Sequence, residues 1–226
     1  MNQLPGVPVL RGSLVRLEPL SVRHAEDLAI SAEEDRSSYG LTRVPHALEV
    51  GEFLAAHFER AKSGKMVPFA QIRQADGRAV GCTAYWDPRF WPGRSELSAI
   101  EIGWTWLAAS AQRTGINTEA KLLLFAHAFE TLGVVRVDLK TDARNDQSRR
   151  AIERLGAHFE GVLRQWSPSH APGEDGRLRD SAMFSVIATE WPATKAALRR
   201  RLEIRTSVTG NQVPPPAIGP GCAAAG

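Results

Sequence analysis

One stretch constrains this chain more than any other: Ile100 to Phe129, IEIGWTWLAASAQRTGINTEAKLLLFAHAF. Ile100–Leu107 reads as a strand. A short polar turn follows. Thr118–Leu132 then carries Ala120, Leu123, Leu124, His127 and Ala128 at helical spacing, with Phe125 and Phe129 on an adjacent stripe, and Gly133 is a natural stop. A strand that enters a helix through a tight turn gathers free backbone N–H groups at the helix start, where they bind phosphate without a side-chain charge. Gly115 allows a tight turn or the close approach of a ligand, Thr118 can cap the helix or donate to an anion, and Arg113 adds positive potential. A plain capped turn accounts for the same residues. The pattern is neither the dinucleotide-binding glycine motif nor a nucleoside-triphosphate loop, which needs a lysine and a hydroxyl at offsets missing here.

The elements around this unit follow from period and punctuation. Ser13–Pro19 alternates as a strand after a lead-in at residues 1–12. Helices are predicted over His24–Ser31, with Ser21 as N-cap, and over Ala47–Ser63, with residues 36–46 irregular between them. Val67–Arg73 and Val80–Trp86 are strands flanking the hairpin pair Asp76-Gly77. A loop over residues 87–99 holds Phe90, Trp91 and Arg94. Val134–Thr141 is a strand and Gln147–Leu155 a short helix ending at Gly156. Phe159–Gln165 and Ser181–Ala188 are strands joined by a polar loop, 167–180. Pro192–Leu202 is a last short helix, and residues 206–226, rich in proline and glycine, are expected to be a disordered tail. The order predicts an α+β fold: one domain over 13–205, a mixed, mostly antiparallel sheet with flanking helices.

Composition narrows the function classes. The 226 residues are 43% apolar and 23% charged, enough for one medium domain with a sizeable core. The net charge of +3 comes from scattered residues rather than a basic stripe, which argues against a nucleic-acid binder. The two cysteines, Cys82 and Cys222, form neither a disulfide framework nor a metal site, and the histidines have no metal-ligand spacing. No apolar run approaches the ~18 residues that span a bilayer, and the amino end lacks the pattern of a secretion signal. The expected location is the cytoplasm.

The turn Gln112-Arg113-Thr114-Gly115-Ile116-Asn117 resembles the coenzyme A pyrophosphate loop of the GCN5-related N-acetyltransferase (GNAT) superfamily, Gln/Arg-x-x-Gly-x-Gly/Ala, with Asn117 departing at the sixth position. Asn145, Ser148, Ala151, Ile152, Leu155 and Gly156 resemble the Asn-x-x-Ser…Leu-Gly segment of the ribosomal-protein alanine acetyltransferase (RimJ/RimL-like) branch. Val15-Arg16-Leu17-Glu18-Pro19-Leu20 resembles that branch's first strand. The resemblance spans roughly residues 12–190. It implies an acyl-CoA cleft between splayed central strands, here Ile100–Leu107 and Val134–Thr141, and direct transfer of an acyl group, most simply acetyl, to an amine in a ternary complex. The coenzyme would meet Gln112, Arg113, Thr114, Gly115, Ile116, Asn117 and Thr118 at the turn, backbone of Trp104, Thr105 and Trp106 on the strand, and Asn145 and Arg149 beyond it.

Glu101 is the candidate general base. On strand alternation it shares a face with Gly103 and Thr105, and its bland reading is a solvated charge or a salt bridge to Arg136. Burial would raise its basicity. Ser148 is the candidate proton donor to the departing thiol, against the bland reading of a helix serine bonded to the preceding turn. Asn145 can also cap the helix. Tyr39, Trp86, Trp91, Arg164 and Trp166 are the candidate acceptor contacts, for a protein or peptide amino terminus or a small-molecule amine. Succinyl-CoA is an alternative donor, since arginines near the pocket could read an acidic acyl chain. A noncatalytic acyl-CoA-binding regulatory module is the main alternative function. A homodimer is compatible with the resemblance.

Overall fold

A computed structural model describes residues 6–93 and 96–210, without the side chains of 205–210. Eight strands form one sheet: β1 (Leu10–Arg11), β2 (Val15–Pro19), β3 (Met66–Arg73), β4 (Ala79–Arg89), β5 (Ala99–Leu107), β6 (Arg136–Asp142), β7 (His158–Pro168) and β8 (Leu178–Ile187). Their spatial order is β1-β2-β3-β4-β5-β6-β8-β7, and every neighbouring pair is antiparallel except β5–β6. Among the described residues five α-helices flank it: α1 (Ala25–Ala32), α2 (Val50–Lys62), α3 (Ile116–Ala126), α4 (Asp146–Glu153) and α5 (Trp191–Gly210). None is long and apolar enough to cross a membrane.

The two faces of the sheet carry different helices. On one, Val15, Leu17, Phe69, Tyr85, Ile100, Ile102, Val137, Leu139 and Phe184 build the larger core with residues of α3, α4 and α5. On the other, Ala70, Ile72, Cys82 and Trp106 pack under α1 and α2. The buried Tyr85 hydroxyl is satisfied by donating to the Leu124 carbonyl at 2.6 Å. A charged clamp joins the N-terminal strands to α3. The Glu119 carboxylate accepts from the backbone N–H of Ser13, Leu14 and Val15 at 2.9, 2.7 and 2.8 Å and from the Ser13 hydroxyl at 2.7 Å.

Several sequence expectations shift. Residues 10–11 of the lead-in form β1, an edge strand pairing Leu10 with Leu17. The long helix starts two residues earlier than its apolar period shows, at Ile116, and its last turn is a π-turn over His127–Thr131, with Leu132 N–H donating to the His127 carbonyl at 3.0 Å. The polar loop 167–180 is shorter, because β7 continues to Pro168 and β8 begins at Leu178: the pairs Ser167↔Arg179 and Pro168↔Leu178 extend the hairpin after a register shift that an alternation pattern does not reveal. The final helix is 20 residues long and takes in residues 206–210 of the expected tail. The rest of that tail, and Arg94, lie outside the described residues.

The Glu119 clamp generates a stability prediction. Glu119→Ala leaves three backbone donors without their acceptor and should cost about 3 kcal/mol in urea unfolding. Glu119→Gln, with one acceptor oxygen in place of two, should recover only part. A loss below about 0.5 kcal/mol for the alanine variant would contradict the clamp.

Candidate active site

The site begins where the sheet opens. β5 and β6 pair at only three positions, Ala99↔Arg136, Ile100↔Val137 and Glu101↔Asp138. Beyond Glu101 the strands part. β6 stays with β8 as far as Asp142↔Ser181, while β5 continues along β4 to Leu107↔Gly81. Among the described residues, the edge of Gly103–Leu107 that faces the opening therefore has no partner strand.

Within this segment β5 carries an extra residue. Cys82 pairs with Trp106 and Ala84 with Gly103, so two steps on β4 oppose three on β5. Trp104 takes up the surplus at φ 54°, in the left-handed region. The bulge reverses the side-chain parity, and this corrects the face expected for Thr105. Glu101 and Gly103 lie on the α2 face, and a Cβ on Gly103 would sit 2.8 Å from the Glu101 carboxylate that folds over it. Thr105 lies on the α3 face, where Lys121 reaches it at 2.6 Å.

Glu101 is 6% exposed, and its Oε2 accepts from Lys140 Nζ at 2.8 Å. Burial raises its pKa, and the Lys140 ammonium opposes that shift. The alternative reading of Glu101, a salt bridge to Arg136, does not hold, because Arg136 binds Asp138 at 2.6 Å and Glu160 at 2.9 Å. Lys140, which sequence reasoning missed, follows Asp138 on the same face of β6. A period-2 reading of that strand could have found it.

On the α2 side of Glu101 lies an aromatic cluster. Trp104 packs edge-on against Trp86 and His57, with ring centroids 5.7 and 5.2 Å away, and the Arg60 guanidinium lies 4.9 Å from its ring centre. Burial lowers the His57 pKa to about 4, so the ring is neutral at pH 7; its Nδ1 bonds the Phe53 carbonyl at 2.7 Å. A groove of about 450 Å³ runs beside the cluster, lined by Ala56, Glu59, Arg60, Ser63, Lys65 and Trp86. Of the five acceptor candidates, Trp86 lines it. Tyr39 is buried, and its hydroxyl donates to the Leu107 carbonyl at 2.8 Å, anchoring the α1–α2 connection to the end of β5. Trp91, Arg164 and Trp166 are exposed, the first after β4 and the others on β7, and none lines the groove.

The turn after β5 is built differently from its sequence reading. Gln112 faces inward, its amide donating to Ser38 Oγ and the Leu107 carbonyl, both at 2.9 Å. The left-handed residue is Arg113, at φ 59°, not Gly115, at φ −76°. Gly115 is small for a packing reason instead, because a Cβ there would run into the Leu14 side chain. Thr114 ties the turn, donating to the Ala111 carbonyl at 2.7 Å and accepting from Ile116 N–H at 3.2 Å. Asn117 needs no glycine-like backbone, since it lies in the first turn of α3. Its buried Oδ1 has no hydrogen-bond partner among the described residues. Ile116, Asn117 and Thr118 open the helix, where amide groups lack intrahelical acceptors.

Across the opening, the Asn145 side chain caps α4 by accepting from Ser148 N–H at 3.0 Å. The Ser148 hydroxyl is half-buried and makes no hydrogen bond among the described residues, so the bond to the preceding turn is not formed. Arg149 is engaged elsewhere, with the Ala143 carbonyl at 3.2 Å and over the Phe159 ring at 5.5 Å. No group of three or more His, Cys, Asp or Glu among the described residues could hold a metal ion. The assembled parts are an open strand edge, a helix start with available amides, a buried carboxylate and an unpaired hydroxyl. Together these suit a transfer reaction on a long, phosphate-bearing thioester.

Comparison with known proteins agrees. The family model described as "Acetyltransferase (GNAT) domain" matches residues 15–158. A crystal structure of a GCN5-related N-acetyltransferase from Brucella melitensis superposes with a TM-score of 0.76 and 31% identity, covering 89% of this chain and 87% of that one. The Bacillus subtilis (strain 168) protein named "Probable N-acetyltransferase YjcK" is 26% identical over 163 residues, 70% of this chain and 87% of its own length. Mycobacterium smegmatis RimJ, solved in complex with CoA-disulfide, shares the fold at a TM-score of 0.66 and 23% identity, over 85% of this chain and 91% of that one. The chain belongs to the GNAT acetyltransferase family and is an acyl-CoA-dependent N-acetyltransferase.

Proposed function

We propose that acyl-CoA lies in the opening between β5 and β6, with its diphosphate at the start of α3, and that an amine enters from the α2 groove to be acetylated beside Glu101. The observation that carries this reading is the parting of β5 from β6 immediately beyond Glu101. It leaves an unpaired strand edge next to the buried Glu101 carboxylate, and the chain runs on from that strand to the start of α3. Acetyl-CoA supplies the thioester.

Each residue then has a task. Backbone donors of Gly103–Leu107 and of the α3 start hold the donor substrate, and the first-turn amides favour the negative diphosphate. Glu101 accepts the proton that the amine loses as its nitrogen bonds to the carbonyl carbon. Burial raises its affinity for that proton, and the Lys140 ammonium favours the charged carboxylate against that shift. The Ser148 hydroxyl, which makes no hydrogen bond among the described residues, faces the task of protonating the sulfur as the carbon–sulfur bond breaks. Trp86, Arg60 and Lys65 line the acceptor's approach. An amino terminus of a protein or peptide and a small-molecule amine both match this chemistry.

The test is thiol release from acetyl-CoA and succinyl-CoA across a panel of amines and peptides, with product masses identifying both groups. Acetyl transfer to at least one amine is expected. Absence of binding to any acyl-CoA would end the reading. Glu101→Gln should lower kcat about 100-fold while CoA affinity stays within roughly threefold. Lys140→Met removes the charge that favours the Glu101 carboxylate. Its pKa should rise further, so the acid limb of the kcat/KM profile should move to higher pH. An unmoved limb would remove Glu101 from the role of base.

A further inference from the structure

Lys121 is a cost to this fold that the preceding roles leave unexplained. It lies in the middle of α3 and is 4% exposed. The stripe around it is otherwise apolar: Ile116, Ala120, Leu124, Phe125 and Ala128. No carboxylate among the described residues forms a salt bridge with it. Burial alone lowers its pKa to about 7. Glu119, the nearest acid on its own helix, is committed to the backbone N–H groups of Leu14, just before β2, and Val15, at its start. Glu101 lies on the opposite face of β5. Methionine or leucine would fill the site without the cost of burying a cation.

The contacts of Lys121 give the reason for its presence. Its ammonium donates to Thr105 Oγ1 at 2.6 Å and to Thr83 Oγ1 at 3.1 Å. The two hydroxyls lie 2.8 Å apart. Below its lowered pKa of about 7 the lysine is an ammonium, which only donates, so both hydroxyls then accept from it. One of their protons can then join the pair while the other points to the Gly103 carbonyl, 3.3 Å from Thr105 Oγ1 and 3.5 Å from Thr83 Oγ1. The network therefore ties together Gly103 and Thr105, the two residues that flank the left-handed Trp104. It crosses from β4 to β5 at the rung where the register slips. Thr105 is half-exposed, and it is on this face only because the bulge reverses its direction.

We propose that Lys121 is a positioning residue for acyl transfer, whose buried ammonium, acting through the Thr83 and Thr105 hydroxyls, fixes the β5 bulge and directs a positive field at the thioester carbonyl. This rests on the proposed placement of the thioester along Gly103–Leu107. Lys121 exchanges no proton with either substrate. It lowers the energy of the negative charge that develops on the carbonyl oxygen as nitrogen attacks, and it does so from a site where little solvent screens it.

The test compares wild type with Lys121→Met, a near-isosteric neutral replacement, and with Thr105→Val, which removes the hydroxyl and keeps the lysine. At pH 6, where the lysine carries its charge, Lys121→Met should lower kcat roughly tenfold or more, leave CoA affinity within about threefold, and melt at the same temperature as wild type or higher. Thr105→Val should lower kcat in the same direction, and the double variant should lose less than the product of the two. Infrared difference spectra of bound acetyl-CoA carrying a ¹³C carbonyl separate the layers of the inference. In wild type the carbonyl band should shift to lower frequency on binding, and in Lys121→Met the shift should shrink. No shift in wild type would refute the placement of the thioester. A wild-type shift preserved in Lys121→Met would refute the role of the lysine alone. So would a variant that melts lower yet turns over at the wild-type rate per folded molecule.

Discussion

Two parallel strands that pair for three residues and then separate set the rest of this structure. β6 is held by β8 along its whole length, and β5 is held by β4, so neither can follow the other once their directions diverge. The surplus residue at Trp104 re-aims β5 where the opening begins. The chain leaves β5 through a turn pinned by Gln112 and Thr114 and enters α3 with its first amides at the mouth. The connection between α1 and α2 closes over the same corner, with the Tyr39 hydroxyl on the Leu107 carbonyl. One backbone event thus leaves an unpaired strand edge on β5, from whose end the chain enters the start of α3.

Electrostatics divides along β5. On one face the Glu101 carboxylate is buried and paired with Lys140. On the other Lys121 is buried, and among the described residues its amino group bonds the Thr83 and Thr105 hydroxyls. Neither group is the choice that stability alone would make, and the two flank the segment where chemistry is proposed. Buried charges that weaken a fold and cluster at one opening are expected of a site tuned for proton and charge movement. Glu119 shows the contrast, because its charge is spent on three backbone donors of the N-terminal strands and serves the fold.

Much of this was legible in the residues. The strand–turn–helix unit, the Asp76-Gly77 hairpin and the cap at Asn145 followed from period and turn chemistry, and the resemblance of the turn and of the Asn145–Gly156 segment anticipated the family. The bulge was not legible, since one inserted residue leaves a strand's composition unchanged while reversing every side chain after it. That is why Thr105 was assigned to the wrong face. Gly115 was read as a conformational device, but it lies in ordinary helical geometry and the strain falls on Arg113. Tyr39 and Arg149 carry groups suited to ligands, yet internal partners had already taken them. Lys121 did leave a signal: a charged residue within the apolar stripe of α3.

Hydrogen–deuterium exchange of the full chain, with and without coenzyme A, reads the central claim directly at the backbone. The account predicts slowed exchange at the amides of residues 103–107 on β5 and 113–118 at the start of α3, with the α2 groove unchanged until an acceptor amine is added. Protection confined to the α2 groove, or to the outer hairpin of β7 and β8, would contradict it.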